Sequence, residues 1–287
     1  MFIATDWKDY ELVDTGNGEK CERWGNVKLR RPEPQAIWPI ENEKKHWTKV
    51  DAHYHRSTSG GGHWEYHQTL PERWTVQFGD LSFYIKPTNF KHTGLFPEQA
   101  ANWTWIINKI KNANRPIKVL NLFAYTGGAS VAAASAGAEV CHVDASKGMV
   151  QWAKENLHLS GLGDRKVRFL VDDVFKFVQR EIRRGNHYDA IIMDPPSYGR
   201  GPNGEVWKLE THLYEFIQTC MNVLSDDPLF MLVNSYTTGI SPQILNNIMT
   251  QTMSQTYKGT LTTGEIGLPI TASQLVLPCG IVGRWES

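Results

Sequence analysis

Residues 117–130 read IKVLNLFAYTGGAS, and the order of residue types along them decides the fold. Val119, Leu120, Leu122 and Phe123 make the short apolar run of a buried β-strand. Thr126, Gly127 and Gly128 then form a turn, and Ala129 with residues 131–134 opens a helix of small residues. A strand that passes through a glycine turn into a helix belongs to an open α/β sheet. In such a sheet the carboxyl ends of the strands carry backbone N–H groups and a permissive turn suited to a ligand.

Outward from this stretch, strands and helices alternate. The helix over 129–136 ends at Gly137 and a strand over 139–143 ends at Asp144. Ser146 is placed to cap a helix over 147–159, closed by Gly161. A strand over 167–171 ends at Asp172 and Asp173 and precedes a helix over 174–184; a strand over 188–193 ends at Asp194-Pro195-Pro196. Next come a Gly-rich loop and a helix over 209–224 with Leu213, Phe216, Ile217, Cys220 and Leu224 on one face. A strand over 229–234, a helix opened by Ser241-Pro242, and strands over 265–268 and 274–284 complete the chain. Upstream, Pro97 starts a helix over 97–112 in which Trp103, Ile106, Ile107 and Ile110 recur at i, i+3, i+4 and i+7. The alternation implies a mostly parallel, doubly wound sheet.

Residues 1–90 are aromatic-rich, with turns expected at Gly16-Asn17-Gly18 and Gly60-Gly61-Gly62. Strands are expected over 10–14, 24–29, 74–78 and 81–85, the last two joined by Gly79-Asp80. The chain thus divides into a small β-rich domain over 1–90 and an α/β domain over 91–287. Within the first, DAHYHRSTSGGGHWEYH (51–67) carries His53, His55, His63 and His67. No cysteine lies close in sequence, and the expectation is a solvated loop of aromatics and histidines and no metal.

Thirty basic residues balance thirty acidic ones, which excludes a global electrostatic footprint for nucleic acid. A nucleic-acid partner would need a local patch, for which Arg180, Arg183, Arg184, Arg200, Lys28, Arg30 and Arg31 are the candidates. The competing reading of the arginines at 180–184 is a solvated helix end favoured by the dipole. Cys21, Cys141, Cys220 and Cys279 are scattered, without a CxxC pair, which argues against a disulfide framework or zinc ribbon and for a reducing, cytoplasmic setting. No stretch approaches the roughly 20 apolar residues that a membrane span needs, so no membrane partner is expected.

The chemistry gathers where strands end. Thr126, Asp144, Asp173 and Asp194 each follow an expected strand and would line one edge of the sheet. Ionised carboxylates only accept hydrogen bonds. An acid after the second strand can take both ribose hydroxyls, and one after the third an adenine amino group, so adenosine is the economical common ligand. A dinucleotide is the rival, since Asp144 lies at about the distance beyond the glycine turn that its fingerprint requires. The turn, however, is AYTGGAS and not GxGxxG. In Asp194-Pro195-Pro196-Ser197-Tyr198 the prolines remove two N–H donors and leave carbonyls that can only accept. Asp194 and a neighbouring proline carbonyl can then receive both hydrogens of an exocyclic amine, and Tyr198 can stack on a base.

Residues 119–131, HVDAS (142–146), LVDDVFKFV (170–178) and DPPSYGRGPNGEVWKLE (194–210) resemble class I S-adenosylmethionine-dependent methyltransferases. More narrowly, they are similar to the bacterial large-subunit ribosomal RNA methyltransferase group. FKHTGLFPEQ (90–99) is similar to that group's KTGFFLDQR signature, with Glu98 in place of the family Asp and the terminal Arg lost. The resemblance spans about residues 86–287. It implies a Rossmann-like, seven-stranded sheet, mostly parallel with an antiparallel last strand, and S-adenosylmethionine as cofactor. Carried over residue by residue, it implies that Phe123, Ala124, Tyr125, Thr126, Gly127 and Gly128 wrap the methionine and ribose side. Asp144, with Ala145 and Ser146, would hold the ribose; Asp173, with Val174, the adenine. Asp194 would face donor and substrate, beside Pro195, Pro196 and Tyr198, and Thr93 and Gln99 would be further cofactor contacts. Metal is not required.

Members that methylate C5 of cytosine need a cysteine nucleophile. None sits in the DPP segment, and Cys220 falls on an apolar helix face. The expected activity is therefore methylation of a nucleobase nitrogen, with ribosomal RNA as partner. A protein or small-molecule acceptor, a dinucleotide-dependent oxidoreductase and a catalytically silent binding module are the alternatives.

Overall fold

The structure, a computed structural model, describes residues 1–41, 43–57, 61–200 and 206–287. Gly60 of the expected turn and residues 201–205 of the expected Gly-rich loop lie outside these, as does the side chain of Arg200. The chain forms two compact units, Asn102–Ile266 with Gly280–Ser287, and Phe2–Ala101 with Gly267–Cys279.

The larger unit alternates as the sequence implies. Its elements are α1 (Ala100–Asn112, in this unit from Asn102), β1 (Lys118–Leu122), α2 (Gly128–Ser135), β2 (Glu139–Asp144), α3 (Lys147–Leu159), β3 (Val167–Val171) and α4 (Val174–Arg184). There follow β4 (Ala190–Met193), α5 (Leu209–Met221), β5 (Phe230–Ser235), α6 (Pro242–Met249), β6 (Thr260–Pro269) and β7 (Val276–Glu286), the last two strands extending into the other unit. The sheet order is β6-β7-β5-β4-β1-β2-β3. Strands β3, β2, β1, β4 and β5 are parallel, and β7 runs antiparallel to β5.

Every residue of β4 and β5 is buried, as parallel strands covered on both faces must be. On one face, Val174, Phe177 and Val178 of α4 and Leu213, Phe216, Ile217 and Cys220 of α5 pack on Leu120, Leu122, Ile191 and Met193. Local chemistry sets the ends: Ser146 caps α3 through the Met149 N–H, Asp173 caps α4 through the Lys176 N–H, and Gly185 closes α4 at φ 64°.

Several expected boundaries move. Strand β4 starts at Ala190, because Tyr188 makes only an isolated bridge to Leu224. Helix α5 stops at Met221, and a 3-10 turn, Pro97–Gln99, precedes α1. The ends of the Gly-rich loop pair as a short antiparallel hairpin, Tyr198–Arg200 with Val206–Lys208.

The smaller unit holds a five-stranded sheet in the order Tyr10–Gly16, Glu19–Trp24, Val27–Pro32, Ala52–Arg56, Gly62–Tyr66, and a hairpin, Trp74–Phe78 with Leu81–Ile85. Asn17 and Gly18, at φ 52° and 77°, form the first turn as expected. The strand expected over 24–29 is two strands, since Gly25 at φ 61° starts a two-residue turn that pairs Trp24 with Val27. The loop expected over 51–67 is largely a pair of strands.

The expected phosphate patch is mostly spent on internal pairs. Arg31 is buried and donates from Nε and Nη2 to Glu22 at 2.7 and 2.9 Å. Arg30 pairs with Glu19, Arg180 with Asp172 and Arg184 with Glu181. Arg183 stays exposed and Lys28 is half-buried.

Candidate functional site

Strand register puts the site residues at one height. Leu122 of β1 pairs with Val143 of β2 and with Met193 of β4, so Phe123, Asp144 and Asp194 are the next residues along three adjacent strands. With about 4.8 Å between neighbouring strands, the Asp144 and Asp194 backbones stand about 10 Å apart across β1. Asp144 also pairs with Val171 of β3, so Asp173 follows two residues beyond that level. Strand order reverses between β1 and β4, and open sheets bind ligands beyond the strand ends at such a reversal.

The loop after β1 is strained and held. Phe123 and Tyr125 take φ of 55° and 50°, and Gly127 takes 84°. Positive φ at a non-glycine residue costs on the order of 1 kcal/mol and persists only where surrounding bonds enforce it. Here the Ala124 N–H donates to Val143 O (3.1 Å), the Tyr125 N–H to Asp144 Oδ2 (2.9 Å), and Asn156 Nδ2 to Thr126 O (2.8 Å). The Ser146 N–H donates to Asp144 Oδ1 at 2.8 Å. Both Asp144 oxygens are thus fixed while each keeps further acceptor capacity.

The two glycines of the turn after β1 prove to have a packing reason. A Cβ on Gly127 would lie 2.8 Å from Ala153 Cβ, and one on Gly128 would lie 2.6 Å from Trp103 Cζ2. The side chain of Thr126 is buried within the unit and Val174 is a core residue of α4, so each can face a ligand only through its backbone. Ala145 and Ser146 are exposed beside Asp144. Thr93 and Gln99 belong to the other unit, where Thr93 is fully buried and its Oγ1 has no hydrogen-bond partner among the described residues.

Asp194 is half-buried, Pro195 buried and Tyr198 49% exposed. Trp207 Nε1 donates to the Pro196 carbonyl at 2.6 Å, which stiffens the segment and leaves the Pro195 carbonyl as the acceptor next to Asp194. Ser197 Oγ lies 2.7 Å from Thr237 Oγ1. A cavity of about 370 Å³ opens beside Asp173, with Phe175, Trp207, His212 and Phe216 among its lining. Cys220 is buried in the core, and burial pushes its thiol far above the ordinary range, so it is no nucleophile.

Sequence reasoning missed the layer beneath the loop. Asn121 Nδ2 donates to Ser130 Oγ (2.9 Å), and Ser130 Oγ lies 2.9 Å from His142 Nδ1; all three are buried. Asn156 is a buried polar residue beside Ala153 and Leu157 on the packed face of α3. A polar residue interrupting an apolar face is the signal that marks it.

The S-adenosylmethionine-dependent methyltransferase family pattern matches residues 30–224, more than half of the chain. A crystal structure of the S-adenosylmethionine-dependent methyltransferase from Agrobacterium tumefaciens is 39% identical, with a TM-score of 0.92 over 99% of this chain and 92% of that one. SMU.776, a putative methyltransferase complexed with SAH, is 19% identical with a TM-score of 0.75 over 98% and 76%, a likeness of fold alone. The ribosomal RNA large subunit methyltransferase K/L of Shewanella frigidimarina is 32% identical over 163 residues, 56% of this chain; this chain spans only 22% of that relative's length. The chain therefore belongs to the S-adenosylmethionine-dependent methyltransferases, enzymes whose methyl donor is S-adenosylmethionine.

Proposed function

We propose that the chain methylates a nucleobase nitrogen in RNA, with large-subunit ribosomal RNA as the acceptor. The observation that carries this reading is the level placement of Asp144 and Asp194 on either side of β1 at the reversal of strand order. In this reading Asp144 receives the ribose hydroxyls with the acceptor capacity left by Tyr125 and Ser146. Asp173, whose Oδ1 caps α4, receives the adenine amino group at the rim of an aromatic cavity. Residues 123–128 follow the methionine side. The donor, when bound, supplies an electrophilic methyl group. Asp194 and the Pro195 carbonyl accept the two hydrogens of an exocyclic amine, so that its lone pair is aimed and water excluded; such positioning is the main requirement of methyl transfer. Tyr198 offers its exposed ring to the base.

The names borne by the Shewanella protein and its relatives support RNA as the acceptor class, and the buried Cys220 disfavours carbon methylation. The test is to incubate the enzyme with methyl-labelled cofactor and separate RNA, ribosome, protein and small-molecule fractions. Label on a purine or cytosine exocyclic nitrogen of RNA supports the reading; label on protein or small molecules overturns it. Preferential thermal stabilisation by NAD over S-adenosylhomocysteine would overturn the assignment of the site itself.

A further inference from the structure

The face of the five-stranded sheet opposite Ala52 and Tyr54 carries a cluster that methyl transfer does not use. His53 and His55 stand at i and i+2 on one strand, so both point away from the buried Ala52 and Tyr54. The neighbouring strand pairs Glu65 with His53 and His63 with His55, which puts four coordinating side chains on one face. One donor atom each from His53, His55 and Glu65 lies within 4.8 Å of the others. The rings of His53 and His55 stand 3.9 Å apart, and that of His63 is stacked 5.3 Å from His55.

We propose that His53, His55 and Glu65 bind a divalent transition-metal ion of the zinc class. Two imidazoles and one carboxylate form a donor set that zinc takes, with ligand bonds of about 2.0–2.2 Å. In a tetrahedral site such donors stand roughly 3.4 Å apart; His55 Nε2 and Glu65 Oε2 now lie 2.7 Å apart, and rotation of these two more exposed side chains opens that spacing around the His53 ring. A partner outside the ligand shell is also in place. Glu19 Oε1 lies 2.7 Å from His53 Nε2, fixing that ring and leaving Nδ1 as its metal-facing donor, while Glu19 also neutralises Arg30. Carboxylates bonded to the second ring nitrogen orient metal-binding histidines in this way. His63 or water fills the fourth position. Gly62–Tyr66 is the edge strand, so the ion would clip that edge to its neighbour. The sequence hid this arrangement because a loop was expected where two strands pair and set Glu65 opposite His53, and because the outer partner Glu19 lies 34 residues away.

The inference stands independently of the methyl-transfer reading, and its test uses binding and stability alone. The full chain, stripped with chelator and dialysed, is titrated with Zn²⁺ against a chromophoric competitor and with Co²⁺ by visible absorption. One equivalent of Zn²⁺, tetrahedral Co²⁺ bands and a zinc-dependent rise in Tm are expected. His55→Ala and Glu65→Gln, both at exposed side chains, should abolish all three while leaving the metal-free Tm unchanged. Glu19→Gln should weaken binding by about 10-fold to 100-fold, and His158→Ala, in the other unit, should leave it intact. Absence of stoichiometric binding by the wild type, or binding that survives His55→Ala and Glu65→Gln together, would overturn the proposal.

Discussion

Asp144 Oδ2 accepts the backbone N–H of Tyr125 at 2.9 Å, and Tyr125 is held at φ 50°. The carboxylate proposed to meet the cofactor ribose therefore also enforces the strained loop proposed to follow the methionine. Asp144→Asn keeps the shape but replaces one acceptor oxygen by a donor. A hydrogen bond to a charged group contributes about 1.5–3 kcal/mol, so S-adenosylhomocysteine affinity should fall by roughly 10-fold to 100-fold in calorimetric titration. Unchanged affinity would remove Asp144 from the cofactor site.

The two glycines of the opening stretch should act on stability first. Gly128→Ala drives a Cβ to 2.6 Å from Trp103, and Gly127→Ala combines a 2.8 Å approach to Ala153 with φ 84°. Overpacking of this kind costs about 1–3 kcal/mol, read as a lowered urea midpoint in the absence of ligand. Loss of S-adenosylhomocysteine binding at undiminished stability would instead mean that these glycines make room for the cofactor.

Much of the larger unit was legible because its signals are local. Ser146 with Gly161, and Asp173 with Gly185, punctuate α3 and α4 within a few residues of their ends, and the acids after β2, β3 and β4 follow directly from strand ends. What sequence could not show depends on partners distant along the chain. Arg31 looked like a phosphate ligand until Glu22, across a hairpin, claimed it. The Pro196 carbonyl looked available until Trp207 took it. The strand expected over 265–268 begins earlier, at Thr260, because its Thr-rich start is defined by pairing and not by apolar alternation.

The Glu22–Arg31 pair should be a structural requirement of the smaller unit. Burial alone would raise the Glu22 carboxyl, but the Arg31 and Lys20 charges overcome it and hold it at about 2, against 4.5 ordinarily. A carboxyl so depressed stabilises the fold above its unfolded pKa and loses that contribution as pH falls from 4.5 toward 2. Glu22→Gln should cost about 3–5 kcal/mol at neutral pH, since it strands a buried guanidinium. It should also flatten the unfolding-versus-pH curve below pH 4.5. Retained wild-type stability in urea would show the pair to be dispensable.

His142 sets a second, higher acid window in the larger unit. Asn121 Nδ2 donates to Ser130 Oγ, and Ser130 Oγ shares a hydrogen bond with His142 Nδ1, while His142 Nε2 is buried with no hydrogen-bond partner among the described residues. Burial pushes this imidazole from 6.5 down to about 3. Between those values the unfolded chain takes up a proton that the folded one refuses, so stability falls as pH drops, by up to about 1.4 kcal/mol per pH unit. Urea unfolding at a series of pH values should show this decline starting below pH 6.5, before the Glu22 limb begins. His142→Phe should be less stable at pH 7, where Ser130 loses its bond to the ring and keeps only that from Asn121, and its decline between pH 6.5 and 4.5 should be shallower than that of wild type, what remains coming from His92, which burial also lowers, to about 4; a decline equal to wild type would acquit His142.

In the proposed reading Asp194 is the group of the DPP segment that meets the acceptor, and Trp207 is the one that holds the segment still. Asp194 leaves β4 level with Asp144, and Trp207 fixes the Pro196 carbonyl at 2.6 Å. Removing a polar group that acts on the reacting centre typically costs about 100-fold to 1,000-fold in kcat. Asp194→Ala should show such a loss in methyl-transfer assays while S-adenosylhomocysteine still binds, because the ribose and adenine contacts proposed for Asp144 and Asp173 are untouched. Trp207→Phe keeps a ring against Phe175 and Phe216 but loses the donor, so the segment gains freedom without losing its acceptors. Its kcat should fall less than that of Asp194→Ala. Adding Asp194→Ala to Trp207→Phe should lower kcat no further than Asp194→Ala alone, because Trp207 acts only through the placement of that segment. Multiplicative losses in the double variant would mean that Trp207 meets the substrate itself, and full turnover by Asp194→Ala would remove Asp194 from the mechanism.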